Sequence, residues 1–159
     1  MTTATQYAQV ADPRRESGRA LLLAGLQDTF SFHNISNIPD LWKRFGPWIG
    51  TLPDQVGKVT YGVCLPADEK GEFVYMAAVE VATLDDVPTD LDPLHVEPQR
   101  YLVFTHDGPL HQLSQTMNAI WRAWLPAHTE YKAVHAPTYE RYGEEFSPGH
   151  PLEIWIPIE

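Results

Sequence analysis

The sequence predicts an α+β domain built from two fused βαββ repeats with pseudo-twofold symmetry, helices on one face of antiparallel sheets and a central ligand pocket. Three observations lead there. Strand-like runs flank two stretches whose apolar residues recur at helical spacing. Residues 82–99 show no sustained period, are broken by Pro88, Pro93 and Pro98, and separate two halves of matching element order. The two helical stretches also share a local pattern: Leu41-Trp42-Lys43-Arg44-Phe45 and Ile120-Trp121-Arg122-Ala123-Trp124 both read aliphatic, Trp, basic, any residue, aromatic, and a proline soon follows each.

Residues 1–18 read as a polar arm, with Arg14, Arg15 and Glu16 together. Residues 19–32 read as the first strand, where Gln27-Asp28 marks a bulge or a bend. The first helix opens with Pro39 in its first turn and stops at Gly46-Pro47, with Leu41, Trp42, Phe45, Trp48 and Ile49 along one face. Strands follow at 59–65 and 72–81, joined by the turn Asp68-Glu69-Lys70-Gly71. Asp85, Asp86, Asp90 and Asp92 keep the next stretch wet, so 82–99 reads as a linker between repeat one (19–81) and repeat two (100–159). Repeat two runs as a strand at 100–106, a helix at 109–125 with Leu110, Leu113, Met117, Ile120, Trp121 and Trp124 on one stripe, and strands at 138–143 and 152–158. Two such units, each covered by a helix on one sheet face, form a saddle with a groove along the seam, where a ligand would sit.

The composition suits a soluble globular protein: 159 residues, 43% apolar and 20% charged. The net charge of −10 argues against a general phosphate-binding surface and biases the protein toward cations. One cysteine, Cys64, excludes an internal disulfide framework, and its strand-like surroundings suggest a buried, inert thiol. No apolar signal core or membrane-spanning run is present, so a cytoplasmic location is expected. The histidines, His106, His111, His128, His135 and His150 among them, follow no paired ligand spacing, so no metal is expected. Ser114 and Ser147 lack a nucleophile-elbow context, and no GxGxxG or P-loop points to a nucleotide; no cofactor is expected.

The richest pattern is at the carboxyl end. Leu152, Ile154, Ile156 and Ile158 alternate with Glu153, Trp155 and Pro157, so the aliphatic set faces a core and Glu153 and Trp155 point the other way. Glu140 and Tyr142 share a face of the preceding strand. If the two strands pair around Ser147-Pro148-Gly149-His150, these four side chains meet on one face, and a carboxylate among aromatic rings suits an organic cation. An exposed sheet face bearing ordinary surface glutamates would show the same pattern.

Six segments in register carry a family resemblance: Tyr61-Gly-Val-Cys, Phe73-Val-Tyr-Met-Ala-Ala-Val-Glu-Val, Tyr101-Leu-Val-Phe-Thr-His-Asp-Gly, Ile120-Trp-Arg-Ala-Trp-Leu-Pro, Pro137-Thr-Tyr-Glu-Arg-Tyr and Leu152-Glu-Ile-Trp-Ile-Pro-Ile. Together they resemble the GyrI-like small-molecule-binding domain, also called the AraC-type or bacterial transcription-activator effector-binding domain, from about residue 18 onward. The resemblance implies a duplicated βαββ fold whose central pocket takes up lipophilic cations in multidrug-responsive members. The family's principal pocket glutamate maps onto Glu140, a second acid and an aromatic onto Glu153 and Trp155, and a variable pocket position onto Tyr142. Trp121 is similar to a helix aromatic that walls the cavity. Tyr75 and Glu80 are further carry-overs on a strand whose faces alternation leaves unassigned. Family members that regulate transcription carry a helix-turn-helix domain ahead of this one, which eighteen residues cannot hold; a stand-alone pocket domain without direct nucleic-acid contact is expected.

Two uses of such a pocket are open. One is a binding protein for hydrophobic, cationic or electrophilic aromatic small molecules, with a role in drug or toxin resistance. The other is a hydrolase of cyclopropane-bearing electrophilic natural products, with Glu140 as general base, as some stand-alone relatives resemble. A third class, a protein-binding module such as a gyrase modulator, leaves room for a protein partner. Binding is favoured, because it is what the wider family does.

Overall fold

The computed structural model describes residues 10–31, 33–107, 112–143 and 152–159. It is an α+β fold, with the helices laid on a single antiparallel sheet of eight strands. In chain order these are β1 (Arg14–Gly18), β2 (Leu21–Phe30), β3 (Gln55–Cys64), β4 (Phe73–Val81), β5 (Asp92–Val96), β6 (Gln99–His106), β7 (Thr138–Tyr142) and β8 (Leu152–Ile158). Helix α1 (Ile38–Phe45) follows β2, and α2 (Leu113–Ala119), a π-helical turn (Ile120–Trp124) and the short α3 (Leu125–Ala127) follow β6.

Two strands lie where none was expected. Arg14–Gly18, placed in the polar arm, pairs with β6, and Asp92–Val96, placed in the linker, pairs with β2. Both are five-residue edge strands whose sequences, Arg-Arg-Glu-Ser-Gly and Asp-Pro-Leu-His-Val, carry charges and a proline instead of clean alternation. Such residues are what exposed sheet edges use against unwanted pairing. The Gln27-Asp28 gap is not a bulge, since β2 keeps unbroken register with β4 from Leu23 to Phe30. The irregularity falls in β3 instead, between Gln55 and Thr60, where Gly57 adopts φ 69°. The expected turn at Ser147–His150 and the start of the second helix at Pro109–His111 lie outside the described residues.

The sheet order is β1-β6-β8-β7-β3-β4-β2-β5, so β2, β4 and β3 on one side of the centre mirror β6, β8 and β7 on the other. Yet β1 and β2 are joined by Arg19-Ala20 alone, and β5 and β6 by Glu97-Pro98 alone. Either connector spans at most about 11 Å. In a flat sheet the strands it joins would lie six spacings apart, about 29 Å. The sheet must therefore curl until its two sides meet at the end where Gly18 pairs with Gln99 and Leu21 with Val96. One buried cluster contains Leu21 and Leu23 of β2 together with Tyr101 and Val103 of β6, so the curl closes toward that face, the inner face.

The outer face carries the helices. On one side α1 places Leu41 and Phe45 against Ala24, Tyr75, Ala77 and Val79. On the other, Ile120 of the π-helical turn covers Leu102, Phe104, Ile154 and Ile156. The aliphatic face of β8 thus goes to a core, since Leu152, Ile154, Ile156 and Ile158 are all buried. Phe45 is fully buried at the centre of the first cluster. Phe45→Ala is expected to cost roughly 3–5 kcal/mol, read as a lower denaturant midpoint with an unchanged m-value.

Candidate functional site

The register of β7 against β8 decides which side chains can meet. Tyr139 lies opposite Trp155, Glu140 opposite Ile154 and Arg141 opposite Glu153. Directly opposed residues share a sheet face, so Glu140 and Tyr142 point outward with Ile154, toward the helices. Glu153 and Trp155 point inward. The expected single-face grouping of Glu140, Tyr142, Glu153 and Trp155 does not form. Alternation within each strand holds; the pairing is offset by one residue, which sends one set to the other face.

On the outer face Glu140 sits in a cage of hydroxyls and rings. Tyr142 Oη donates to Glu140 Oε1 at 2.6 Å and Tyr75 Oη to the same oxygen at 2.9 Å. Trp42 of α1 donates its indole N–H to Tyr75 Oη at 3.2 Å and sets its ring edge-to-face with Tyr142, with centroids 5.6 Å apart. Trp42 packs against both outer-face clusters and so spans the seam between the two halves. Burial pushes the Glu140 carboxyl above its ordinary range, and the hydrogen bonds from Tyr142 and Tyr75 pull part of the way back. The Tyr75 and Tyr142 hydroxyls are pushed well up by burial and by the neighbouring Glu140, so both stay protonated as donors.

This arrangement needs Gly62. Gly62 pairs with Glu140 across β3 and β7, and a β-carbon there would collide with the Tyr75 hydroxyl and come within 2.7 Å of Glu140 Oε1. Its backbone φ is not positive, so the glycine supplies space and not conformational freedom. Neither Gly62 nor Trp42 was among the expected site residues. A glycine leaves no mark in an alternation pattern, and Trp42 fits the apolar stripe of its helix; a lone glycine inside a strand run was the available signal.

Along the same seam, the next pair on this face is Cys64 with Thr138. These two floor a recess of 540 Å³ walled by Phe73, Met117 and Trp121. Trp121 is the exposed aromatic of the π-helical turn, so it stands beside the seam, one same-face step along from Glu140. Cys64 lies close enough to feel the Glu140 charge; burial first, then that charge, pushes its thiol up to about 12, as expected of an inert thiol.

The inward set is satisfied from within. Glu153 meets Arg14 Nη2 at 2.7 Å and Arg141 Nη1 at 3.6 Å, and the Trp155 indole N–H donates to it at 3.2 Å. Arg14 also lies over the Trp155 ring, 5.9 Å from its centroid, so the chain's own guanidinium occupies the place read as a cation site. Tyr75 and Glu80 part company: Tyr75 faces outward beside Glu140, while Glu80 faces inward and is held by Arg19 Nη2 at 2.9 Å. Among the described residues no group of His, Cys, Asp or Glu is arranged to hold a metal ion. His106 lies buried with its Nδ1 2.7 Å from the Thr116 hydroxyl.

A curled sheet with helices on one side and a half-buried acid beside aromatic rings suits a small-molecule-binding domain. The chain belongs to the GyrI-like family, matching the GyrI-like small molecule binding domain over residues 16–159. It is 31% identical over 126 residues to the transcriptional regulator BrlR of Pseudomonas aeruginosa, a match that takes in 76% of this chain and 46% of BrlR. The chain therefore spans about half the length of that curated relative. Among the solved structures that share the fold are the following two. One is SAV2435 bound to tetraphenylphosphonium, with TM-score 0.79 and 21% identity over 94% of each chain. The other is a putative bacterial transcription regulation protein from Staphylococcus aureus, with TM-score 0.75 and 22% identity over 93% of this chain and 98% of that one. Among the described residues no helix is long and apolar enough to cross a membrane.

Proposed function

We propose that this domain binds a lipophilic organic cation on its outer face, with Glu140 as the charge partner and Trp42, Tyr75 and Tyr142 as the aromatic surround. The observation that carries this reading is a contrast between acids. Glu153 and Glu80 are each held by arginine, whereas burial and the Tyr142 and Tyr75 hydroxyls alone set the state of Glu140. A half-buried carboxylate with no basic partner among the described residues is costly when empty and well matched to a cation that brings its own charge. Each ring face would add about 0.5–2 kcal/mol. The recess beside Trp121 and Met117 offers room for the apolar bulk of such a ligand. The fold shared with SAV2435, solved with tetraphenylphosphonium, supports the same class of ligand. The biological setting on this reading is resistance to cationic drugs or toxins.

The hydrolytic alternative asks Glu140 to take a proton from water. Two hydroxyl donors on Oε1 stabilise the charged carboxylate and oppose that step, which favours binding.

Titrating the protein with tetraphenylphosphonium between about pH 8 and about pH 4 tests the reading, since it brackets a carboxyl raised above its ordinary value. The cation needs the ionised acid. Affinity is expected to be full above the raised Glu140 pKa and to fall progressively as pH drops through it, with onset at a higher pH than an unperturbed glutamate would give. An affinity that stays flat over the range would remove Glu140 from the site.

A further inference from the structure

The inner face holds a second recess, of 470 Å³, separated from Glu140 by the sheet itself. Its floor is aromatic: Trp155 stacks on Tyr139 with centroids 5.4 Å apart and planes 18° from parallel, and Tyr61 meets Tyr139 edge-on at 5.6 Å. Three arginines, Arg14, Arg19 and Arg141, line it from β1, the β1–β2 crossover and β7. Two of the acids that pair with them, Glu153 and Glu80, lie deeper. The Arg14, Arg19 and Arg141 side chains are 48%, 67% and 37% exposed, against 22% for Glu153 and 12% for Glu80. Glu16, which also lines the recess and pairs with Arg14, is 39% exposed. Around Arg19 and Arg141 a molecule arriving from solvent meets guanidinium groups before the deeper Glu80 and Glu153. On a chain of net charge −10 the lining of this recess carries three arginines against two glutamates, Glu16 and Glu153.

We propose that this recess is a second ligand site, for a planar aromatic anion such as an aryl carboxylate or sulfonate, whose ring packs against the aromatic lining beside Trp155 while its anionic group meets the arginines. Glu153 is already engaged by Arg14, Arg141 and the Trp155 indole, so it is a poor partner for an added cation. The arginines keep unused N–H donors, because each guanidinium has five and Arg14 commits only Nε and Nη2 to Glu16 and Glu153. Guanidinium over ring and guanidinium to anion are both favourable geometries, and one planar anion satisfies both. The two faces would then take ligands of opposite charge, independently of one another.

The test uses the whole chain and a matched pair of probes, naphthalene-2-sulfonate and 2-naphthylmethylammonium, followed by the NMR shift of the Trp155 indole N–H, assigned with Trp155→Phe. The sulfonate is expected to move that signal and to bind at least several-fold tighter than the ammonium. Arg14→Gln and Arg141→Gln should each weaken it several-fold, while Glu140→Gln should leave it unchanged. Tetraphenylphosphonium titration of the arginine variants checks that the outer face, and hence the fold, is intact. The proposal is overturned if the ammonium moves the signal at equal or lower concentration, if the arginine substitutions do not weaken the sulfonate, if Glu140→Gln does, or if neither probe moves Trp155. A failure of tetraphenylphosphonium to bind the unsubstituted protein would count against Glu140 alone.

Discussion

Glu140→Gln is expected to weaken tetraphenylphosphonium binding by more than tenfold and, at the same time, to make the empty protein more stable. The affinity loss, upward of about 1.4 kcal/mol, is that of a partly desolvated charge partner. The geometry survives, because the glutamine carbonyl can still accept from the Tyr142 and Tyr75 hydroxyls that now meet Oε1. The gain in stability has the opposite cause. Below the ordinary glutamate pKa the group is protonated folded or unfolded and costs nothing. As pH rises, the unfolded chain releases its proton first, so stability falls until the pH passes the raised folded pKa and the full penalty is in place. The neutral amide carries no such penalty, and each kcal/mol recovered appears as about 2–4 °C in Tm for a chain of this size. Calorimetry of both proteins at neutral and acidic pH measures both effects. A Glu140→Gln variant that is less stable at neutral pH, with affinity intact, would place the carboxylate in a structural role.

Gly62→Ala is expected to lose both ligand affinity and roughly 2–5 kcal/mol of stability, although it adds a single methyl group. The added carbon lands on the Tyr75 hydroxyl, and Tyr75 is itself buried against Phe30 and Trp42 with no free direction to move. Pushing it aside breaks the bonds from Tyr75 to Glu140 and from Trp42 to Tyr75, leaving partly buried polar groups without these partners. Denaturant unfolding measures the loss. Tyr75→Phe placed in the Gly62→Ala background removes the oxygen that collides and should return part of the stability without returning the affinity. Equal loss in the single and double variants would mean the strain lies elsewhere in β3.

Much of this was legible in the chain, at the level of single strands. Alternation assigned the two faces of β8, and its aliphatic set is buried. Glu140 and Tyr142 do share a face and do touch. What alternation cannot supply is the phase between neighbouring strands, which the connection sets; one residue of offset sent Glu153 and Trp155 to the far side of the sheet from Glu140. Tyr75 and Glu80, five residues apart on β4, were bound to fall on opposite faces, but only their neighbours reveal which. The edge strands β1 and β5 were unreadable for another reason. Half exposed and short, they have little apolar surface to hide and so no pattern to show.

The two-residue crossovers carry a consequence for how the molecule holds together. The first strand of the leading half completes the trailing half, and β5 returns the exchange, so the halves are clasped and neither would be whole if cut free. A lone copy of such a unit would need a twin to lend it an edge. The cleft over β3 and β7, where Glu140 stands, lies where the two clasped halves meet, so parting them would open it.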